Sequence, residues 1–291
     1  MKICRFGDNR LGILDGDKVR DVTPALAVLP TCQYPLPQHD LLIAHLDAVR
    51  ARIFEIAADA PIVADADLTL LSPVANPGKI IAAPVNYQKH LKEVLDSPAL
   101  HHDNQINHIQ RAGLFLKAPS SLVGAADGVA LIKLDRRNDH EVELAVVIGR
   151  TASNVREEEA LSYVAGYCIG LDITIRGPEE RSFRKSPDSY TVLGPWLVTT
   201  DELSNPGTLG FSIQVNGEVR QQSNTSDLIL GVEQLIAFAS SFYTLHPGDV
   251  IITGTPEGVG SIQPGDSMLA QMDGIGQMRV EVRAAPQPVG R

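Results

Sequence analysis

The stretch Asn138-Asp139-His140-Glu141-Val142-Glu143-Leu144-Ala145-Val146-Val147-Ile148-Gly149 changes character halfway along. Its first part alternates. In a strand, successive side chains point to opposite faces, so Asp139, Glu141 and Glu143 share one. The unbroken apolar run 144–148 then carries the strand into a core. Carboxylates at the mouth of a buried strand repel one another unless a proton, a cation or a metal compensates. A hard divalent ion such as Mg²⁺ or Mn²⁺ prefers such oxygen ligands. A solvated edge strand with outward charges has the same pattern, so spacing alone leaves both readings open.

A second apolar run, Gly166-Tyr167-Cys168-Ile169-Gly170-Leu171-Asp172, also ends in a carboxylate, and Ile173-Thr174-Ile175-Arg176 follows it. If the two strands lie side by side, Asp172 completes a three-carboxylate site. Arg176 shares a strand face with Asp172, where it either binds a distal carboxylate or pairs with a nearby acid.

Further short β runs are expected at 80–83, 196–199, 211–215, 250–253 and 278–282, separated by Gly and Pro clusters. Helices are few. The clearest covers 231–242, where Val232, Leu235, Ile236 and Ala239 form one apolar face. Many strands with few intervening helices predict a mainly β or α+β fold, not a doubly wound sheet. Toward the N-terminus, Lys2-Ile3-Cys4-Arg5-Phe6, Leu11-Gly12-Ile13-Leu14 and Lys18-Val19-Arg20-Asp21-Val22 read as a small meander broken at Gly7-Asp8-Asn9 and Asp15-Gly16-Asp17. A helix over 47–58 follows, with Val49, Ile53 and Ile56 at helical spacing. The turn-rich residues 72–78 mark the boundary of a small N-terminal α+β domain, 1–72, from a larger domain, 73–291.

The whole chain, 291 residues with 44% hydrophobic and 21% charged side chains, is ordinary for a globular protein. Its net charge of −10, with no compensating basic patch, argues against a nucleic-acid partner. No apolar run approaches the roughly 20 residues of a membrane span, so no membrane association is expected. Cys4, Cys32 and Cys168 are odd in number and lack ligand-like spacing, and read as buried thiols in a reducing compartment. The opening Met-Lys-Ile-Cys-Arg-Phe-Gly lacks a long apolar core, so no signal peptide is expected and the location reads as cytoplasmic.

Several separate segments resemble the fumarylacetoacetate hydrolase family in the expected order over roughly 79–270. Glu141-Val142-Glu143 with 161–172 is similar to its metal-binding strands. Lys79-Ile80-Ile81-Ala82-Ala83-Pro84-Val85-Asn86-Tyr87-Gln88-Lys89-His90-Leu91-Lys92-Glu93 resembles its lid motif. Phe115-Leu116-Lys117-Ala118-Pro119 and Lys185-Ser186 resemble its lysine segments. The most specific match is Thr244-Leu245-His246-Pro247-Gly248-Asp249-Val250-Ile251-Ile252-Thr253-Gly254-Thr255-Pro256-Glu257-Gly258-Val259-Gly260.

That resemblance implies a twisted, mixed β-sheet roll of the fumarylacetoacetate hydrolase type with Mg²⁺ or Mn²⁺ at its centre, assembled as a homodimer. Carried over by position, Glu141, Glu143 and Asp172 are the metal ligands. His90 and Glu93 form a dyad that activates water, Lys117 and Lys185 are cations near the substrate, and Thr255 contacts its carboxylate. The metal is expected to chelate the 1-carboxylate and 2-oxo group of a small anionic 2-oxo acid, stabilising the enolate that forms as the neighbouring C–C bond breaks.

The residues themselves admit blander readings. His90 and Glu93, three apart, share a helix face whether they activate water or form a surface pair. Lys117 follows an apolar strand, as a snorkelling edge lysine or as an anion partner. Gly254-Thr255-Pro256-Glu257-Gly258 is either an anion-cradling turn or a structural one. The polar segment 94–112, with His101, His102 and His108, reads as a solvated loop or an extended lid. Gly177 and the short stretch between Asp172 and Lys185 depart from the family pattern and bear on substrate choice.

The expected function is hydrolysis of a C–C bond in a small 2,4-dioxo acid of the acylpyruvate or fumarylpyruvate kind. Decarboxylation, isomerisation or tautomerisation of a related oxo-dicarboxylic or hydroxymuconate-type acid uses the same metal site without attacking water. A non-catalytic descendant of the fold is the third reading; an intact acid set with His90, Glu93 and Lys117 speaks against it.

Overall fold

The computed structural model describes residues 1–97, 100 and 108–286. His101 and His102 lie outside these residues; His108 is exposed and precedes the short helix Ile109–Ala112. The strands expected from alternation are present, with some ends moved. The 196–199 run is the tail of a longer strand, Thr191–Thr199. The run at 166–172 begins earlier, as Val164–Asp172.

An eleven-stranded sheet runs in the order Lys18–Asp21, Arg10–Asp15, Lys2–Phe6, Thr191–Thr199, Val164–Asp172, Val142–Ile148, Val250–Ile252, Ile80–Ala82, Phe115–Lys117. Leu70–Leu71 and Leu122–Val123 attach beside this path. A five-stranded sheet, Glu218–Asn224, Gly210–Val215, Ser267–Met272, Gly276–Ala284 and Val129–Leu131, covers one flank. Pairing is antiparallel except where Ile80–Ala82, Leu122–Val123 and Val129–Leu131 join in parallel. This is the mixed-sheet α+β architecture the sequence leads one to expect.

The N-terminal meander forms as expected and extends the large sheet, because Lys2 and Ile3 pair with Val198 and Leu197. Helix Val232–Phe242 buries Val232, Leu235, Ile236 and Ala239 against the main core. Helix Leu46–Ile56 buries Leu46, Val49 and Ile53 against a second cluster, on the other side of the sheet. Cys4 and Cys168 are buried as expected, whereas Cys32 is half-buried in an irregular segment. Among the described residues no helix is long and apolar enough to cross a membrane.

One expectation is corrected. The strand that opens at Asn138 is not continuous but breaks at Glu141. Asn138–His140 pairs with Thr174–Ile175 and Gly260–Ser261 in a small separate sheet, while Val142–Ile148 enters the large one. The physical reason is a change of partner: the Val142 amide donates to the Gln221 side chain at 3.2 Å, not to the backbone of a neighbouring strand. Asp139 is thereby separated in role from Glu141 and Glu143.

Candidate active site

Strands Val142–Ile148 and Val164–Asp172 do lie side by side, antiparallel, with Val142 opposite Leu171 and Glu143 opposite Gly170. The Asp172 amide donates to the Glu141 carbonyl at 2.9 Å, so Asp172 stands across from Glu141. One carboxylate oxygen from each of Glu141, Glu143 and Asp172 falls within 4.8 Å of the others, and all three groups are buried. Such a cluster needs compensating charge, and two cations supply part of it. Lys185 Nζ donates to Glu141 Oε2 at 2.7 Å and to Asp172 Oδ2 at 2.5 Å. Lys117 Nζ bonds Asp172 and donates to the Tyr190 carbonyl at 2.8 Å. Lys117 is only 1% exposed, so it does not snorkel. Burial presses its pKa down despite the Asp172 charge.

Arg176 pairs with nearby acids: Nε donates to Asp139 Oδ2 at 2.7 Å and one terminal nitrogen to Glu141 Oε1 at 2.8 Å. Asp139 also takes Arg137 at 2.6 Å, so its charge is spent outside the triad. Burial raises the pKa of both Glu141 and Glu143, but their neighbours differ. For Glu141, Lys185, Arg176 and His90 outweigh burial and hold the carboxyl well below the usual range. For Glu143, burial and Asp172 push it well above that range. Glu143 has no ion pair among the described residues; its hydrogen bond comes from the Gly254 amide at 2.6 Å. A buried carboxylate beside two others, lacking a bonded cation, is a hard-oxygen donor set that fits a divalent ion.

Gly254 approaches Glu143 because its φ is +96°, and a Cβ there would meet the Asn86 Cβ at 2.7 Å. Asn86 fixes this corner, donating to the Leu230 and Thr253 carbonyls at 2.9 and 2.8 Å. Val85, next to it, holds a φ of 47°, costly for a β-branched residue. This strained turn launches helix Gln88–Asp96.

On that helix His90 is 4% exposed, and its Nδ1 bonds Glu93 Oε2 at 2.8 Å. Glu93 Oε1 accepts from the Gly258 amide at 3.0 Å. The surface-pair reading therefore gives way to a buried imidazole oriented through one nitrogen, leaving Nε2 for a ligand or water. The Thr255 hydroxyl donates to the Val142 carbonyl at 3.0 Å and accepts from Gln221 Nε2 at 2.8 Å.

His90, Glu141, Glu143, Arg176, Lys185 and Thr255 line a single cavity, with Val85, Phe115, Arg181 and Arg184 completing its wall. Asp172 and its partner Lys117 lie behind this wall, Asp172 tied to the lining through Lys185. Gln221, Asn86 and Arg181 were not singled out from the sequence. Arg181 had a usable signal, standing four residues before Lys185 on one helix face. Gln221, the one buried residue of its strand, had none.

A family model described as "Fumarylacetoacetate (FAA) hydrolase C-terminal" matches residues 79–283. The chain is 66% identical over 286 residues, 98% of its length and 100% of the relative's, to maleylpyruvate hydrolase of Aquipseudomonas alcaligenes. Among solved structures it is similar to maleylpyruvate hydrolase of Sphingobium sp. SYK-6 in complex with manganese(II) and pyruvate. That match has a TM-score of 0.83 at 38% identity, covering 98% of this chain and 100% of that one. It is also similar to fumarylpyruvate hydrolase of Pseudomonas aeruginosa with Mn²⁺ and pyruvate, with a TM-score of 0.61 at 28% identity over 73% and 91% of the two chains.

Proposed function

Since the chain belongs to the fumarylacetoacetate hydrolase family, we propose that it is a divalent-metal-dependent hydrolase that cleaves the C–C bond of acylpyruvates, releasing pyruvate and an acid. The observation that carries this reading is a buried three-carboxylate set of which Glu141 and Glu143 line one cavity together with an oriented histidine. The similarity to enzymes named for maleylpyruvate and fumarylpyruvate hydrolysis supports it.

Glu141, Glu143 and Asp172 are the residues to hold Mg²⁺ or Mn²⁺, which when bound supplies Lewis-acid polarisation of a 2-oxo acid. His90 takes a proton from water, and Glu93 orients the ring and stabilises its imidazolium form. The resulting hydroxide adds to the 4-carbonyl carbon, the C3–C4 bond breaks, and its electron pair takes up at C3 the proton that His90 removed from water, which returns the imidazole to its starting form. Both atoms of the new acid's hydroxyl group thus come from water. Lys185 helps keep Glu141 ionised, Lys185 and Lys117 hold Asp172 in place, and Arg176 balances Glu141 at the cavity wall. Thr255 fixes the loop that faces the substrate.

Water-dependent cleavage makes two acids, decarboxylation makes CO₂, and isomerisation conserves mass. Product masses from an acylpyruvate with Mn²⁺ or Mg²⁺ therefore test the proposal. Two acids are expected, lost with chelator and in folded E141A. CO₂ release or a mass-neutral change overturns it. The proposal extends to a homodimer working in the cytoplasm; a monomer in sedimentation velocity would reject that assembly.

A further inference from the structure

Helix Arg181–Lys185 brings Arg181, Arg184 and Lys185 to the cavity wall, and two of these cations, Arg181 and Lys185, share one aromatic neighbour. Both lie against the Phe115 ring, the Arg181 guanidinium carbon 5.4 Å and the Lys185 ammonium 5.6 Å from its centroid. Their circumstances differ. Lys185 is committed to Glu141 and Asp172. Arg176 is committed to Asp139 and Glu141, and Arg184 donates to the Glu179 and Ile175 carbonyls. Arg181 makes no hydrogen bond or ion pair with another described residue; Glu141, Glu180 and Asp172 attract it and Arg176 repels it, all at longer range. A half-buried guanidinium loses hydration, and only the ring face replaces part of it.

The local charges point the same way. Lys117, Lys185 and Arg176 are each paired with a buried acid, whereas the Arg181 guanidinium is paired with none among the described residues. Arg181 is then positive charge in excess of these pairs. A dianionic substrate matches that excess better than a monoanion.

We propose that Arg181, backed by Phe115, is the specificity-determining residue that binds the distal carboxylate on the acyl arm of a diacid acylpyruvate. The inference rests on the acylpyruvate reading above and deepens it. Four residues of helix separate Arg181 from Lys185 by ~6 Å along the axis, the reach of an acyl arm a few carbons long. The planar guanidinium fork suits a carboxylate, and the ring beneath it limits its freedom before substrate arrives.

The test uses two acids of equal chain length, 2-oxoadipate and 2-oxohexanoate, which differ in the terminal carboxylate and lack a 4-oxo group to be cleaved. Their dissociation constants for the Mn²⁺-loaded protein are read by calorimetry. The wild type is expected to favour the diacid by roughly 10- to 100-fold. In R181Q the preference should vanish while monoacid binding stays within about twofold, and R181K should keep part of it. No preference in the wild type, an intact preference in R181Q, or equal loss of both acids would each overturn the proposal. Acylpyruvate cleavage by the same wild-type sample separates the two readings. A diacid preference without cleavage upholds Arg181 and rejects the hydrolase; cleavage without a preference does the reverse.

Discussion

Glu141 and Glu143 stand two residues apart and are driven to opposite ends of the carboxylate range. The difference is the cations, bonded to Glu141 and missing from Glu143. A carboxyl whose pKa is higher folded than unfolded binds more protons in the native state, so it costs stability as pH rises above the unfolded value near 4.5. Replacing Glu143 by Gln removes that cost and keeps an acceptor for the Gly254 amide. Metal-free E143Q should therefore match the wild type near pH 4.5 and exceed it at neutral pH, by a few degrees in Tm, roughly 1–3 kcal/mol. Mn²⁺ should raise the wild-type Tm, increasingly with pH as Glu143 loses its proton, and should barely move the variant. Calorimetric scans between pH 4.5 and 8, with and without Mn²⁺, check both; a Tm gap independent of pH would count against the Glu143 assignment.

At the scale of elements, the histidine depends on how one helix is tethered. Glu93 joins His90, on its own helix, to the amide of Gly258 in the loop from Gly254. Gly258 can serve there because its φ is +89° and a Cβ would strike the Arg220 carbonyl at 2.3 Å. The strained Val85 holds the other end of the connection. Removing Glu93 should therefore misorient His90 without touching the carboxylate set. We expect E93A to lose about 10²- to 10³-fold in kcat, with Mn²⁺ affinity unchanged within about threefold. Steady-state kinetics together with a Mn²⁺ titration followed by electron paramagnetic resonance measure the two separately. An equal loss of metal binding would mean that Glu93 supports the whole site.

At the scale of the molecule, the first strand closes one side of the strand that carries Thr191 to Thr199. Leu197 and Val198 are fully buried beneath it. Whether 1–72 is a separable unit is answered by expressing 73–291 alone. Because Asp172 pairs with Thr191, at the end of that strand away from Lys2 and Ile3, and Glu143 lies one strand further in, the fragment should still bind Mn²⁺. It should melt well below the full chain, since an apolar edge and its backbone groups become exposed. An insoluble or metal-blind fragment would mean that the two regions fold only together.

Local pattern carried a good deal of this. Alternation and apolar runs placed the strands, the spacing of Val232, Leu235, Ile236 and Ala239 placed a helix face, and motif order pointed to the family. The strands, the helix face and each single motif depend on neighbours a few residues away, which is what a sequence displays directly. The break at Glu141 depended instead on Gln221, 79 residues from Val142. The fates of the cations depended on contacts of similar reach, Lys117 with Asp172 across 55 residues and Lys185 with Glu141 across 44. Nothing in the local chemistry of Lys117, Arg176, Arg181 or Lys185 says which will be neutralised by a carboxylate and which will not. Strand pairing decides it, because a charge buried in a core is governed by whatever the register brings within bonding distance.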